Sequence, residues 1–164
     1  MAASDTQIRA RDLRVGDPAL RARLIGVFER VLDHGMFIGG PELETFERQF
    51  ADFCGVRHAV GCASGTSALY LALRGLGLGP GDEVITTPLS WIATLNAINA
   101  VGATAAFADI GPDLNIDPTT IEAKITTRTR VILPVHFTGR MCDMDAITEI
   151  AQRNNLLVIE DAAQ

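Results

Sequence analysis

Short apolar runs alternate with helix-period patterns over most of this chain, and that alternation narrows its fold more than any other feature. Residues 58–62, 83–87, 104–108, 130–135 and 156–160 are brief and mostly apolar, as strands covered on both faces are. Helical periodicity fills the intervals near 66–76, 90–101, 118–125 and 143–154. Strand followed by helix, repeated, predicts an α/β fold: a three-layer α/β/α arrangement around a mostly parallel sheet. The joints carry turn chemistry, with Gly79-Pro80-Gly81-Asp82 ahead of one strand and Asp117-Pro118 at the head of one helix.

Before this pattern begins, residues 1–16 read as a loose leader. Asp17-Pro18 then supplies a helix start, an N-cap acceptor followed by a residue that needs no N–H partner. Leu20, Leu24, Val27, Phe28, Val31 and Leu32 share one helical face, and Gly35 is a stop. Met36-Phe37-Ile38-Gly39-Gly40 is an apolar loop whose paired glycines suit either close approach of the backbone to another group or a plain turn between helices. Pro41 opens a second helix with Leu43, Phe46, Phe50 and Phe53 as its expected buried stripe, and Gly55 ends it.

A net charge of −6 argues against nucleic acid as a partner, because phosphate backbones are bound by clustered Lys and Arg. Of the 14 basic residues only Lys124 is a lysine, and the arginines are scattered. Cys54, Cys62 and Cys142 lack C-x-x-C spacing and are expected to be reduced packing residues. The three histidines lie too far apart to suggest zinc. The N-terminus is polar rather than signal-like, and no apolar run reaches the roughly 18 residues that span a bilayer. The expectation is a cytoplasmic protein without membrane contact.

Three stretches carry chemistry. In Cys62-Ala63-Ser64-Gly65-Thr66-Ser67, a strand runs into a helix start, where unpartnered N–H groups and the helix dipole favour an anion by about 0.3–2 kcal/mol. Gly65 permits close approach, and the Thr66 and Ser67 hydroxyls add donors; an ordinary Ser-capped helix is the plain alternative. Trp91, the only tryptophan, follows the strand at 83–87, where it can either stack on a flat ring or pack in the interior. In Val158-Ile159-Glu160-Asp161-Ala162-Ala163-Gln164 a buried strand ends on two carboxylates aimed to opposite sides. A carboxylate there can pair with a protonated ring nitrogen. Gln164 can donate to a ring oxygen, or simply face solvent. His136 reads as a structural hydrogen-bonder or a cleft residue. Asp109 and Asp113 flank a turn, and Asp145, Glu149 and Arg153 form a solvated face. The glycines of Gly75-Leu76-Gly77-Leu78-Gly79-Pro80-Gly81 follow a helix and precede a strand, the reverse of a dinucleotide fingerprint.

The ordered set of these motifs resembles the DegT/StrS-type family of pyridoxal-phosphate sugar aminotransferases. It includes Gly40-Pro41-Glu42-Leu43-Glu44, Ser64-Gly65-Thr66-Ser67-Ala68-Leu69, Gly79-Pro80-Gly81-Asp82-Glu83-Val84-Ile85 and Ala93-Thr94-x-Asn96-Ala97. It continues through Gly102-Ala103, Asn115-Ile116-Asp117 and Pro134-Val135-His136 to Ile159-Glu160-Asp161-Ala162-Ala163-Gln164.

The resemblance implies a fold type I large domain, here its N-terminal portion over 35–164 behind a leader and helix at 1–34. It implies pyridoxal 5'-phosphate as cofactor. Gly65, Thr66 and Ser67 would hold its phosphate, Trp91 would cover the ring face, Asp161 would meet the pyridine nitrogen and Gln164 the phenolic oxygen. It further implies amino transfer, commonly from glutamate, to a keto sugar that is usually nucleotide-linked, by a homodimer with active sites at the subunit interface.

Family members run to more than twice this length, and their aldimine lysine follows the Asp-x-x-Gln motif. No residue of these 164 is therefore assigned a catalytic role, since Lys124 falls in an amphipathic surface segment, and the chain alone is expected to lack transaminase activity. A sugar dehydratase of the same family, with histidine in place of that lysine, and a non-catalytic remnant are the competing readings. A sheet ending near residue 160 is also expected to keep an uncovered edge and to favour self-association or marginal stability.

Overall fold

The computed structural model describes residues 13–164; the leader expected at 1–16 falls largely outside them. The described chain forms two compact units that divide between Gly61 and Cys62.

The first unit contains α1 (Pro18–His34) and α2 (Pro41–Cys54). Asp17 caps α1 as expected, its carboxylate accepting the Ala19 N–H at 2.8 Å, and Gly35 ends the helix in the left-handed region at φ 70°. The paired glycines make the turn between the helices: Gly39 and Gly40 sit at φ 73° and 92°, conformations closed to most side chains. His34 ties this turn together. Its Nδ1 accepts the Met36 N–H at 3.0 Å, so Nε2 carries the hydrogen donated to Glu42, 3.1 Å away. The apolar stripes hold their helical spacing, but Leu20, Leu24, Phe28 and Leu32 on α1, and Leu43, Phe46, Phe50 and Phe53 on α2, are exposed. The burial expected of the α2 stripe is not observed; only Ala51 of that helix is buried. Phe46 and Phe50 stack on each other with ring centroids 5.5 Å apart.

The second unit holds α3 (Gly65–Gly75), β1 (Glu83–Thr86), α4 (Ile92–Ala100), β2 (Thr104–Phe107), β3 (Thr129–Leu133), α5 (Met144–Arg153) and β4 (Leu157–Val158). Its sheet runs β2-β1-β3-β4, and every neighbouring pair is parallel. Two differences from the sequence reading stand out. Residues 58–62 form no strand, and the Gly61 N–H donates to the Glu47 side chain at 2.7 Å rather than to a strand neighbour. Residues 118–125 form two 3₁₀ turns, Pro118–Thr120 and Glu122–Lys124, rather than one helix. Asp117 caps the first of these, and the bonds through both run from residue i to i−3, as from Ile121 to Pro118 and from Ile125 to Glu122.

Strand alternation divides the interior in two. Val84, Val131 and Leu133 face one side and pack with Leu69 and Leu73 of α3 and Ala97 and Ile98 of α4. Ile85 and Ile132 face the other, against Ile121, Ile147 and Ile150. The three layers follow from this, because a parallel sheet with both faces apolar needs cover on both. Only one of the three cysteines is packed: Cys142 is buried, while Cys54 and Cys62 are exposed. Burial pushes the Cys142 thiol up, and its sulfur donates to the Val135 carbonyl at 3.2 Å.

Two polar clusters brace this framework. Glu83, at the buried head of β1, accepts from the Thr126 hydroxyl and pairs with Arg128. Asn115 is buried and acts as a clamp. Its amide donates to the Arg140 and Met141 carbonyls, each at 3.1 Å, while its Oδ1 accepts the Phe137 N–H at 3.0 Å.

The Thr126 hydrogen bond, with Arg128 adding to it against the opposing effect of burial, holds the Glu83 carboxyl below its usual range. The stabilisation is complete above the ordinary glutamate value of about 4.3 and is lost as pH falls through the depressed one. In urea titrations, wild type should exceed Glu83→Gln in stability at neutral pH, and the difference should shrink on acidification below about pH 4. A pH-independent difference would contradict the role given to the charge. Asn115→Ala should cost about 1–3 kcal/mol by stranding the Arg140 and Met141 carbonyls, since the Phe137 N–H keeps the Val135 carbonyl, and Asn115→Asp should not restore the two donated bonds. A loss below about 0.5 kcal/mol, the usual effect of a surface substitution, would refute the clamp.

Candidate cofactor site

The sheet delivers its residues to one edge, the carboxyl ends of the strands. Pairing between β3 and β4 continues past the regular strands to a parallel bridge between Val135 and Asp161. The Asp161 N–H donates to the Pro134 carbonyl at 2.9 Å, and its own carbonyl accepts the His136 N–H at 3.1 Å. With its backbone held on both sides, Asp161 turns its carboxylate inward and is only 7% exposed.

That carboxylate has two neutral donors. Oδ2 accepts from the Thr94 hydroxyl at 2.9 Å and Oδ1 from the Ala163 N–H at 3.2 Å. No lysine or arginine forms an ion pair with it among the described residues. A buried carboxylate that keeps its charge without a cation is costly unless something completes it.

Alternation sends the preceding Glu160 the other way. It accepts from His136 Nε2 at 2.9 Å, while Nδ1 of the same ring accepts the Cys142 N–H at 3.2 Å. His136 is buried at 8% exposure with both nitrogens engaged, the structural use of the two considered.

Gly65, Thr66 and Ser67 open α3. Ser64 caps the helix by accepting the Ser67 N–H at 3.1 Å, and its hydroxyl also meets that of Ser67 at 3.0 Å. The Ser67 amide is thereby occupied, whereas the Gly65 and Thr66 N–H groups donate to no protein acceptor among the described residues. A Cβ added at Gly65 would stand 3.9 Å from the Ala163 Cβ, so this helix start lies against the segment that follows Asp161. The two stretches far apart in sequence are neighbours here.

Trp91 is the N-cap residue of α4, beyond the end of β1. At 75% exposure it is not the packed tryptophan offered as the alternative; its indole face is open. Gln164 is exposed, and its Oε1 accepts the Thr138 N–H at 2.7 Å, which leaves the NH₂ end to donate elsewhere. Lys124 lies in the second 3₁₀ turn and lines a separate cleft of about 510 Å³ with Pro88, Phe107 and Asp109. Arg153 binds Glu122 and Glu149 on the outer face, and Glu122 chiefly pushes the guanidinium up.

Sequence reasoning placed Thr94 in a motif but gave neither it nor Ser90 a role; their hydroxyls lie 2.8 Å apart. Their i, i+4 spacing across a helix start was the available signal, and its meaning depended on where Asp161 would fall.

The donor set fits a flat, phosphorylated heterocycle: free helix-start amides for a dianion, an open indole for a ring face, an unpaired buried carboxylate for a protonated nitrogen and an amide for an oxygen.

Comparison with known proteins identifies the family. The DegT/DnrJ/EryC1/StrS aminotransferase family matches residues 18–164. The chain is 49% identical over 154 residues to the dTDP-3-amino-3,4,6-trideoxy-alpha-D-glucose transaminase of Streptomyces venezuelae, covering 93% of this chain and 41% of that protein. It is 53% identical over 133 residues to the spore coat polysaccharide biosynthesis protein SpsC of Bacillus subtilis (strain 168), covering 80% and 34%. The chain thus spans well under half the length of these relatives.

Among solved structures, S. venezuelae DesV in complex with a ketimine intermediate superposes with a TM-score of 0.87 at 50% identity, over 89% of this chain and 40% of that one. NtdA from Bacillus subtilis with bound cofactor PMP gives 0.87 at 42% identity, over 90% and 34%. The architecture is that of fold type I pyridoxal-phosphate aminotransferases. The chain belongs to the DegT/DnrJ/EryC1/StrS aminotransferase family.

Proposed function

We propose that these residues form part of a pyridoxal-phosphate-dependent aminotransferase that moves an amino group from glutamate to a nucleotide-linked keto sugar. In this reading residues 35–164 are the N-terminal portion of the cofactor-binding large domain, and the whole protein works as a homodimer with active sites at the subunit interface. The observation that carries it is the buried Asp161 carboxylate, held by two neutral donors at the strand edge where the α3 start also lies.

Gly65 and Thr66 would hold the phosphate through their free amides, with the Thr66 and Ser67 hydroxyls beside them. Trp91 would cover the ring and exclude water from one face. Asp161 would keep the ring nitrogen protonated by charge, and the Gln164 NH₂ would bond the phenolic oxygen. When bound, the cofactor supplies an electron sink and the carbonyl through which the amino group passes. The chain's own residues bind and orient; Lys124 has no part.

The test is the first half-reaction in the full-length protein carrying these residues, reconstituted with pyridoxal phosphate and given L-glutamate. The pyridoxal absorbance should give way to that of the pyridoxamine form. Asp161→Asn should slow the change by about 10²–10³-fold, the usual cost of one preorganised electrostatic partner. Gly65→Val should weaken cofactor binding by tenfold or more, about 1.4 kcal/mol, without slowing the saturated reaction as much. A wild-type protein that takes up no pyridoxal phosphate would overturn the reading.

A further inference from the structure

We propose that Thr94 is a positioning residue for Asp161, the last link of a proton-ordered chain that runs Ser90 → Thr94 → Asp161. This rests on Asp161 being the group that meets the cofactor's ring nitrogen.

The order of the protons follows from chemistry. A carboxylate accepts and cannot donate, so at 2.9 Å the Thr94 hydroxyl gives its single hydrogen to Asp161 Oδ2. Thr94 then has only lone pairs for Ser90, and at 2.8 Å the Ser90 hydroxyl must be the donor. Thr94 is 1% exposed, so water does not substitute for either bond. On its other side the acid is fixed through its backbone to Pro134 and His136, and Oδ1 takes the Ala163 N–H. Each oxygen has one donor, and its remaining lone pairs are open.

A hydroxyl is suited to this task where a basic side chain is not. An arginine would hold the carboxylate but neutralise it, leaving nothing to attract a ring cation. Thr94 restrains its rotation and leaves the charge in place. The same turn sets the indole: Ser90 and Thr94 flank Trp91, and the Thr94 N–H donates to the Trp91 carbonyl at 3.1 Å. The first turn of α4 therefore ties the acid to the stretch of backbone that carries the indole, two groups proposed to act on one flat molecule.

A packing role and a positioning role make opposite predictions. Valine keeps the volume of threonine and removes the hydroxyl, whereas serine keeps the hydroxyl and removes a methyl. In the full-length holoenzyme, Thr94→Val should lower kcat of the glutamate half-reaction about tenfold or more, as loss of a residue supporting a catalytic group does, with KM for glutamate within about twofold. It should also shift the absorbance maximum of the bound cofactor. Thr94→Ser should recover most of the rate and the wild-type absorbance. Ser90→Ala, which buries no new group, should give a smaller loss of kcat in the same direction and keeps the test open should the valine variant fold poorly.

The proposal is overturned if serine is as damaging as valine, if valine leaves rate and absorbance unchanged, or if Ser90→Ala leaves kcat unchanged. In each case a wild type that binds pyridoxal phosphate and reacts with glutamate leaves the functional reading intact. A wild type that does neither overturns both.

Discussion

Parallel pairing of β1 with β3 is the constraint on which the second unit depends. Val84, Ile85, Val131, Ile132 and Leu133 are completely buried, which requires cover on both faces of the sheet. Parallel strands cannot be joined by tight turns, so each connection must cross over, and the crossing segments supply that cover. The same rule places every strand's carboxyl end at one edge. Residues 87–91 after β1, 134–136 after β3 and 159–164 after β4 emerge there, and the α3 start lies against the last of them. In open α/β sheets that edge is where ligands bind.

Charge organises what is gathered at the edge. The α3 start offers two free N–H groups and the positive end of a helix dipole, whereas Asp161 offers a buried negative charge. A ligand with a phosphate at one end and a cationic nitrogen at the other would satisfy both. The hydroxyl chain from Ser90 through Thr94 orders the acid without cancelling its charge. On the far side of the strand, Glu160 and His136 tie the ends of β4 and β3 together. Of this pair of adjacent carboxylates, Glu160 stabilises the edge, and Asp161 is the one proposed to meet a ligand.

The relation between sequence and structure differs by region. Helix ends were legible because they are local: Asp17 and Asp117 cap within two residues, and Gly35 and Gly55 stop within one. The apolar stripes of α1 and α2 were legible as periodicity but not as burial, since an amphipathic face indicates that something should cover it and not what does. Residues 58–62 misled for a related reason, because strand character is completed only by a neighbour's hydrogen bonds. The clamp made by Asn115 was hidden, as its partners lie 22 to 26 residues away.

By itself, the sequence determined the α/β class, four of the strand positions, the caps, and the residue types able to meet a phosphate and a ring nitrogen, because each rests on periodicity or on chemistry within a few residues. Tertiary structure alone decided that the Ser67 amide is occupied by its own cap while those of Gly65 and Thr66 stay free, that the indole is open, and that Asp161 rather than Glu160 turns inward to Thr94. Which acid is buried depends on the face that each strand position presents once β4 is registered against β3, and registration is a property of two strands together.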